Sequence, residues 1–198
     1  MTPLGEFLAR PATDVAPLLL GAVLHGRDVS VRLTEVEAYL GEHDPGSHAF
    51  RGRTRRSAVM FGPAGHLYVY FSYGMHVCAN IVVGAEGEAT AVLLRAGEVV
   101  AGLDVARSRR VTSKTDADLA RGPARLCVAL GISLADDGAR LGELFRLDLP
   151  PHPIAVVETG PRTGVSGEGG SDAYPWRFWI PGNSSVSPYK KSVLKQPV

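Results

Sequence analysis

Apolar residues along the chain fall into short runs separated by Gly, Pro and polar clusters, and the spacing inside each run predicts its structure. Thr13-Asp14, then Val15 to Leu20 and Gly21, predict a short helix with an N-cap, Pro17 in its first turn and a glycine stop. Ala22 to His25 and Val29 to Leu40 flank Gly26-Arg27-Asp28 and predict a hairpin. From Gly41 to Ser57 the apolar period is lost, which predicts a loop longer than a connector needs, and such loops tend to be functional. His66 to Phe71 and Met75 to Val83 predict a second, protruding hairpin turning at Ser72-Tyr73-Gly74. Thr90 to Ala96 reads as a buried strand and Val99 to Arg110 as a loop or short helix. Asp116 to Gly131 has helical spacing broken at Gly122-Pro123. Thr159 to Tyr174 reads as a Gly/Ser-rich loop, and Trp176 to Ile180 as a last aromatic strand before a Ser/Lys/Pro tail.

Strands dominate the first half without regular alternation with helices, which predicts a mixed α+β domain rather than a doubly wound parallel sheet. At 198 residues the chain is one domain over 1–198, with residues 1–10 and 188–198 read as mobile ends. A hydrophobic share of 45% suffices for a real core. Two cysteines, Cys78 and Cys127, do not make a disulfide framework and suit a reducing, cytoplasmic setting. No basic segment followed by an apolar one opens the chain, and no apolar run approaches the roughly 20 residues of a spanning helix, so neither a signal peptide nor a membrane role is expected.

Two features of the pattern carry chemistry. In Val31 to Tyr39, alternation puts Val31, Leu33, Glu35, Glu37 and Tyr39 on one face. That face is either solvated, with Val36 and Ala38 inward, or lines a cavity, where a carboxylate with an aromatic ring about 7 Å further along the strand suits a general base beside a stacking platform. Tyr73 at a hairpin tip is either a lone surface aromatic or a wedge of the kind that enters a nucleic-acid stack.

Charge then alters the picture. Subtracting 20 Asp+Glu from 21 Lys+Arg leaves +1, which as an average argues against nucleic acid. The cations are concentrated, however, in Arg51, Arg53, Arg55 and Arg56, with Arg107, Arg109, Arg110 and Lys190-Lys191 as additions, while Glu42, Asp44 and Asp136-Asp137 read as lying elsewhere. Phosphate binding needs a patch rather than a total.

Thr34-Glu35-Val36-Glu37-Ala38-Tyr39-Leu40-Gly41 with His48, then Met60-Phe61-Gly62-Pro63-Ala64-Gly65-His66-Leu67-Tyr68-Val69-Tyr70, Tyr73-Gly74-Met75 and Asn80, resemble the alkyladenine (3-methyladenine) DNA glycosylase family. Leu94-Arg95-Ala96, Arg121 to Cys127, Pro161 to Val165 and Arg177-Phe178-Trp179 extend the resemblance over nearly the whole chain. It implies a curved antiparallel, open-barrel-like sheet with surrounding short helices, and a monomeric, monofunctional base-excision repair enzyme without metal or other cofactor. Its partner would be double-stranded DNA carrying alkylated or deaminated purines: 3-methyladenine and 7-methylguanine, with hypoxanthine and ethenoadenine as further candidates. Glu37 matches the general base that activates a water, and Arg95 a residue that holds the water and the Glu. Tyr39, His48 and Tyr70 match the pocket that sandwiches the flipped base, Asn80 its discriminating wall, and Val165 a loop position near the water. Tyr73 matches the residue that fills the gap in the duplex, and Arg51, Arg53, Thr54 and Arg56 are assigned to the DNA backbone. Thr54-Arg55-Arg56-Ser57 departs from the family's Thr-Pro-Arg-Asn, and His76 stands where some relatives carry an aromatic.

Other classes fit less well. His43, Asp44 and His48, or His76 and Cys78, lack structural-zinc spacing. Gly164-Val165-Ser166-Gly167-Glu168 is not a nucleophile elbow, and no phosphate loop with its Lys is present. A non-catalytic lesion-binding protein has no use for a buried Glu37, and a nucleoside hydrolase none for Tyr73 or the arginine stretch.

Overall fold

The computed structural model describes residues 4–72 and 74–192. In chain order its elements are α1 (Leu4–Leu8), α2 (Ala12–Leu18), β1 (Val23–Gly26), β2 (Val29–Leu40), β3 (Leu67–Ser72), β4 (His76–Val83), β5 (Thr90–Ala101), α3 (Leu103–Arg109), α4 (Pro123–Leu130), β6 (Phe145–Asp148), β7 (Glu158–Gly160) and β8 (Arg177–Trp179), joined by loops and short 3-10 turns. The strands form one open antiparallel sheet in the order β3-β4-β5-β2-β1-β6, with β8 pairing β2 and β7. This is the mixed α+β architecture that the apolar pattern predicts.

Strand β2 organises the sheet. Its residues Leu33 to Ala38 are all buried, because β5 runs along one edge while β1 and then β8 pair with the other. Register shifts against β5 at Leu33/Glu35 and Glu35/Val36 bend the strand there. The two readings of its polar face are thereby decided: Glu35 and Glu37 are both fully buried.

The β1–β2 hairpin turns on Arg27-Asp28, both at positive φ (46° and 66°), which matches the twist of the flanking strands. Neither residue is glycine, and the conformation is held by tertiary contacts of Arg27 with the buried Asp136 at 2.7 and 2.9 Å. The second hairpin closes with Ser72 opposite His76 and the Met75 N–H on the Ser72 carbonyl at 3.1 Å. Helix α4 begins at Pro123 and stops at Gly131, whose φ of 71° suits a left-handed cap, and it lays Leu126, Cys127 and Leu130 against the sheet. A smaller apolar cluster of Ala49, Met60, Tyr68, Val82, Ala89 and Ala91 lies beside the main core.

Several boundaries differ from the sequence pattern. Helix α2 starts at Ala12 after Pro11, so Thr13 and Asp14 are inside it rather than capping it, and Pro17 stands in its last turn. A helix of seven residues has few i→i−4 bonds to lose there. Strand β5 runs on through Gly97-Glu98 to Ala101, past the predicted end at Ala96, because pairing with β2 supplies what the apolar pattern lacks. Helix α1, packed through Phe7 and Leu8, and strands β6 and β7 have no counterpart in the pattern.

Candidate active site

A cavity of about 1120 Å³ opens where β2, β3, β4 and β5 present side chains opposite the 45–48 and 163–166 segments. Glu37, Arg95, Tyr39, His48, Tyr70, Asn80, Val165 and Arg56 line it together. Arg51, Arg53 and Thr54 do not line it: Arg53 rests over the Phe61 ring (5.9 Å), and Thr54 is bound into its own turn. Tyr73 lies outside the described residues, although Ser72 and Gly74 on either side of it border the cavity.

The Glu37 carboxylate is held at three points. Tyr39 donates its hydroxyl to Oε2 at 3.0 Å, Thr163 donates its backbone N–H to Oε1 at 2.7 Å, and the Arg95 guanidinium stands 3.4 Å from Oε1. The loop anchor is therefore the Thr163 backbone, two residues before the Val165 indicated by resemblance. Burial, with Glu37 beside it, pushes the Tyr39 hydroxyl well above its ordinary range, so it remains a donor. Burial opposes charge on Arg95, but Glu37 and Glu35 outweigh it and raise its pKa.

The aromatic wall has a definite arrangement. Tyr68 and Tyr70 stack at 5.4 Å, and His48 meets Tyr70 edge to face at 4.6 Å. His48 and Tyr70 thus touch and leave no slot between their two rings. Arg56 only donates, and its contact to His48 Nε2 (3.4 Å) makes that nitrogen the acceptor and Nδ1–H the donor to the Tyr68 hydroxyl (3.0 Å). One face of His48 opens on the cavity, yet burial of the rest and the Arg56 charge lower its pKa to about 4, keeping it neutral near pH 7. Asn80 is buried and gives one amide hydrogen to the Tyr68 carbonyl (3.1 Å).

Arg56 lies 5.2 Å over the Tyr70 ring and donates to the Phe71 carbonyl at 3.2 Å. The unusual Thr54-Arg55-Arg56-Ser57 segment is not loose. The Thr54 N–H donates to Ser57 Oγ (3.0 Å) and the Ser57 N–H to Thr54 Oγ1 (3.2 Å), a reciprocal clasp in place of a rigid proline.

The partners of the buried charges escape the sequence pattern. Arg162 is fully buried, and all five of its N–H groups find acceptors: Asp44 (2.5 and 2.6 Å), the Ala38 carbonyl, and the Gly169 carbonyl from two nitrogens. Asp44 is thus a buried structural partner beside the site, not a remote acid. Gly46 makes room for the pair, since a Cβ there would meet the Arg162 guanidinium at 2.5 Å. Arg162 also covers the Tyr39 ring at 4.5 Å. Glu35 accepts from Arg95 and Arg177, and the C-terminal Ser187, Pro188 and Lys190 reach the cavity wall with Arg121 and Arg125. The hints for these groups were the second acid of the Glu35/Glu37 pair and an arginine inside each of the late motifs.

By contrast, Arg107 pairs with Asp104 and Asp116, Arg109 donates to the Ala129 and Arg27 carbonyls, and Arg110 to the Leu119 carbonyl. These three are engaged with acids and carbonyls of the fold. Among the described residues no three His, Cys, Asp or Glu side chains gather as metal ligands, and no helix is long and apolar enough to cross a membrane.

The chain is similar to known proteins over most of its length. A protein of Streptomyces avermitilis named "Putative 3-methyladenine DNA glycosylase" is 55% identical over 96% of this chain and 92% of its own. A protein of Leifsonia xyli with the same name is 58% identical, covering 93% and 91%, and one of Burkholderia lata is 50% identical, covering 91% and 88%. The family model for methylpurine-DNA glycosylase (MPG) matches residues 6–184. The cavity and its buried carboxylate therefore belong to a chain that is a member of the methylpurine-DNA glycosylase family.

Proposed function

We propose that the protein removes alkylated purines, 3-methyladenine first among them, from double-stranded DNA by hydrolysing the N-glycosidic bond and leaving an abasic site. The observation that carries this reading is Glu37: a fully buried carboxylate, oriented by Tyr39, Thr163 and Arg95 at the wall of an aromatic-lined cavity. A base within a duplex is out of reach of such a carboxylate, so the nucleotide is flipped out, at a cost of a few kcal/mol that is least for a damaged base. Tyr73, next in sequence to Ser72 and Gly74, is assigned to fill the vacancy.

Glu37 accepts a proton from a water whose oxygen attacks the sugar C1′. The C1′–N bond breaks as the C1′–O bond forms, and its electron pair leaves on the purine. An N3- or N7-alkylated purine is a cation and departs neutral, so no acid is needed at the leaving group. General-base assistance of this kind is worth about 10²- to 10⁴-fold. Arg95 keeps the carboxylate oriented, and Tyr39, Tyr70 and neutral His48 present aromatic surface to which a cationic base is attracted. Asn80 has an amide hydrogen and its carbonyl oxygen available for purine edges. Arg51, Arg53, Thr54 and Arg56 are assigned to phosphates.

The test is base release from duplexes carrying 3-methyladenine, 7-methylguanine, hypoxanthine or 1,N6-ethenoadenine, one lesion at a time, without added metal. Release of free 3-methyladenine with an abasic site left behind is expected. Intact lesions in every duplex, with binding retained, would leave a lesion-binding protein instead.

A further inference from the structure

The site contains a second buried acid that the proposed chemistry does not use. Glu35 is fully buried and accepts three hydrogen bonds: Arg95 Nε at 2.9 Å, Arg177 Nε at 2.5 Å, and the Ser187 backbone N–H at 2.7 Å. Arg95 is thus hydrogen-bonded to Glu35 but stands 3.4 Å from Glu37, outside direct hydrogen bonding. The shorter contact decides which acid anchors the guanidinium.

We propose that Glu35 is a positioning residue that holds Arg95 back from Glu37, so that Glu37 keeps a favourable charge nearby without losing an oxygen to it. The inference rests on the reading of Glu37 given above. Oε1 of Glu37 already accepts from Thr163 and Oε2 from Tyr39, so only the remaining lone pairs are free for the proton of a water. Without Glu35, Arg95 is released and closes on Glu37, because a buried guanidinium that loses one carboxylate turns to the nearest other. A direct, charge-assisted Arg95–Glu37 bond then occupies a lone pair the reaction needs.

Glu35 reaches further than Arg95. Arg177, which it binds, donates to the Ser187 carbonyl at 3.0 Å, Thr34 on β2 meets Ser185 at 2.9 Å, and Arg121 donates to the Val186 carbonyl at 2.9 Å. The segment Ser185–Ser187 is therefore strapped to the catalytic strand through the same carboxylate, and it carries Pro188 and Lys190 to the cavity wall.

The experiment compares Glu35→Gln, Arg95→Gln, their double variant and Glu37→Gln. It reads single-turnover release of 3-methyladenine, and affinity for a duplex with a tetrahydrofuran abasic-site analogue. Glu35→Gln is expected to slow release about 10- to 100-fold, the scale of a small misplacement in an active site, while affinity stays within about threefold. In the Arg95→Gln background the same change is expected to slow release by less than about threefold, because the two residues act as one unit. Parent-rate release by Glu35→Gln, fully additive losses, or equal loss of release and affinity would each overturn the proposal. If Glu35→Gln does not fold, the charge-balanced Glu35→Gln/Arg177→Gln variant is read in its place, with the same split expected. Glu37→Gln separates the two levels: if it releases base at the parent rate, the reading of Glu37 fails; if it is inactive while Glu35→Gln is unimpaired, only the positioning role falls.

Discussion

The floor of the cavity and the exposed 51–56 segment use charge in opposite ways. Beneath the cavity, Glu35, Glu37, Asp44, Arg95, Arg162 and Arg177 are all buried, and each has named partners. In the 51–56 segment, Arg51, Arg53, Arg55 and Arg56 are exposed, Arg56 of these four lines the cavity, and Arg53 and Arg56 lie on aromatic faces. Buried charges interact strongly and are fixed by every bond they make, which suits a group that must meet one atom of one sugar. Exposed charges are screened and free to move, which suits a flexible, repeating polyanion. On the proposed reading, reaction geometry comes from a few residues distant in sequence and joined below the surface, whereas binding is assigned to neighbours in one loop.

The largest effect is expected where that floor is cut. Asp44→Asn leaves Arg162 as a buried cation without its bidentate partner, and unfolding by urea should show a loss of about 3–5 kcal/mol. A loss near zero would mean that the pair is not part of what holds the 162–166 segment beside Glu37. Arg56→Gln acts on the exposed segment and should be milder: affinity for duplex falls, and the slope of log affinity against log salt flattens by about 1. The same substitution removes a cation facing His48, so the His48 NMR titration should move upward from about 4 toward its ordinary value near 6.5. The parent fold keeps His48 neutral, so its contribution to stability is intact above about 6.5 and is lost as pH falls toward about 4. An unchanged titration would show that Arg56 does not face His48 in solution. The smallest effect is expected for Arg107→Ala, which breaks only exposed ion pairs with Asp104 and Asp116; melting temperature and DNA affinity should both stay at parent values.

What was legible in the sequence follows physical range. The Leu67–Ser72 and His76–Val83 hairpin could be read because alternation and a glycine turn are local signals. Helix α4 could be read because Gly122-Pro123 and Gly131 mark its two ends. The end of β5 could not, since Gly97 and Glu98 look like a break until β2 is seen to pair with them. At the candidate site, alternation identified two acids on one face but could not assign them different partners. That depends on Arg95 and Arg177, 60 and 142 residues from Glu35. The Asp44–Arg162 pair, 118 residues apart, leaves no periodic trace at all.

In the proposed reading, Glu37 performs the chemistry while the rest of the cavity holds the base. Glu37→Gln keeps the size of the side chain and the acceptor for Thr163 or Tyr39, but removes the basic oxygen. The most direct measurement is single-turnover release of 3-methyladenine from duplex DNA by this variant, with affinity for an abasic-site duplex measured on the same preparation. The expected rate is at least about 100-fold below the parent, with affinity retained within a few-fold. Release at the parent rate by a folded, DNA-binding Glu37→Gln protein would contradict it.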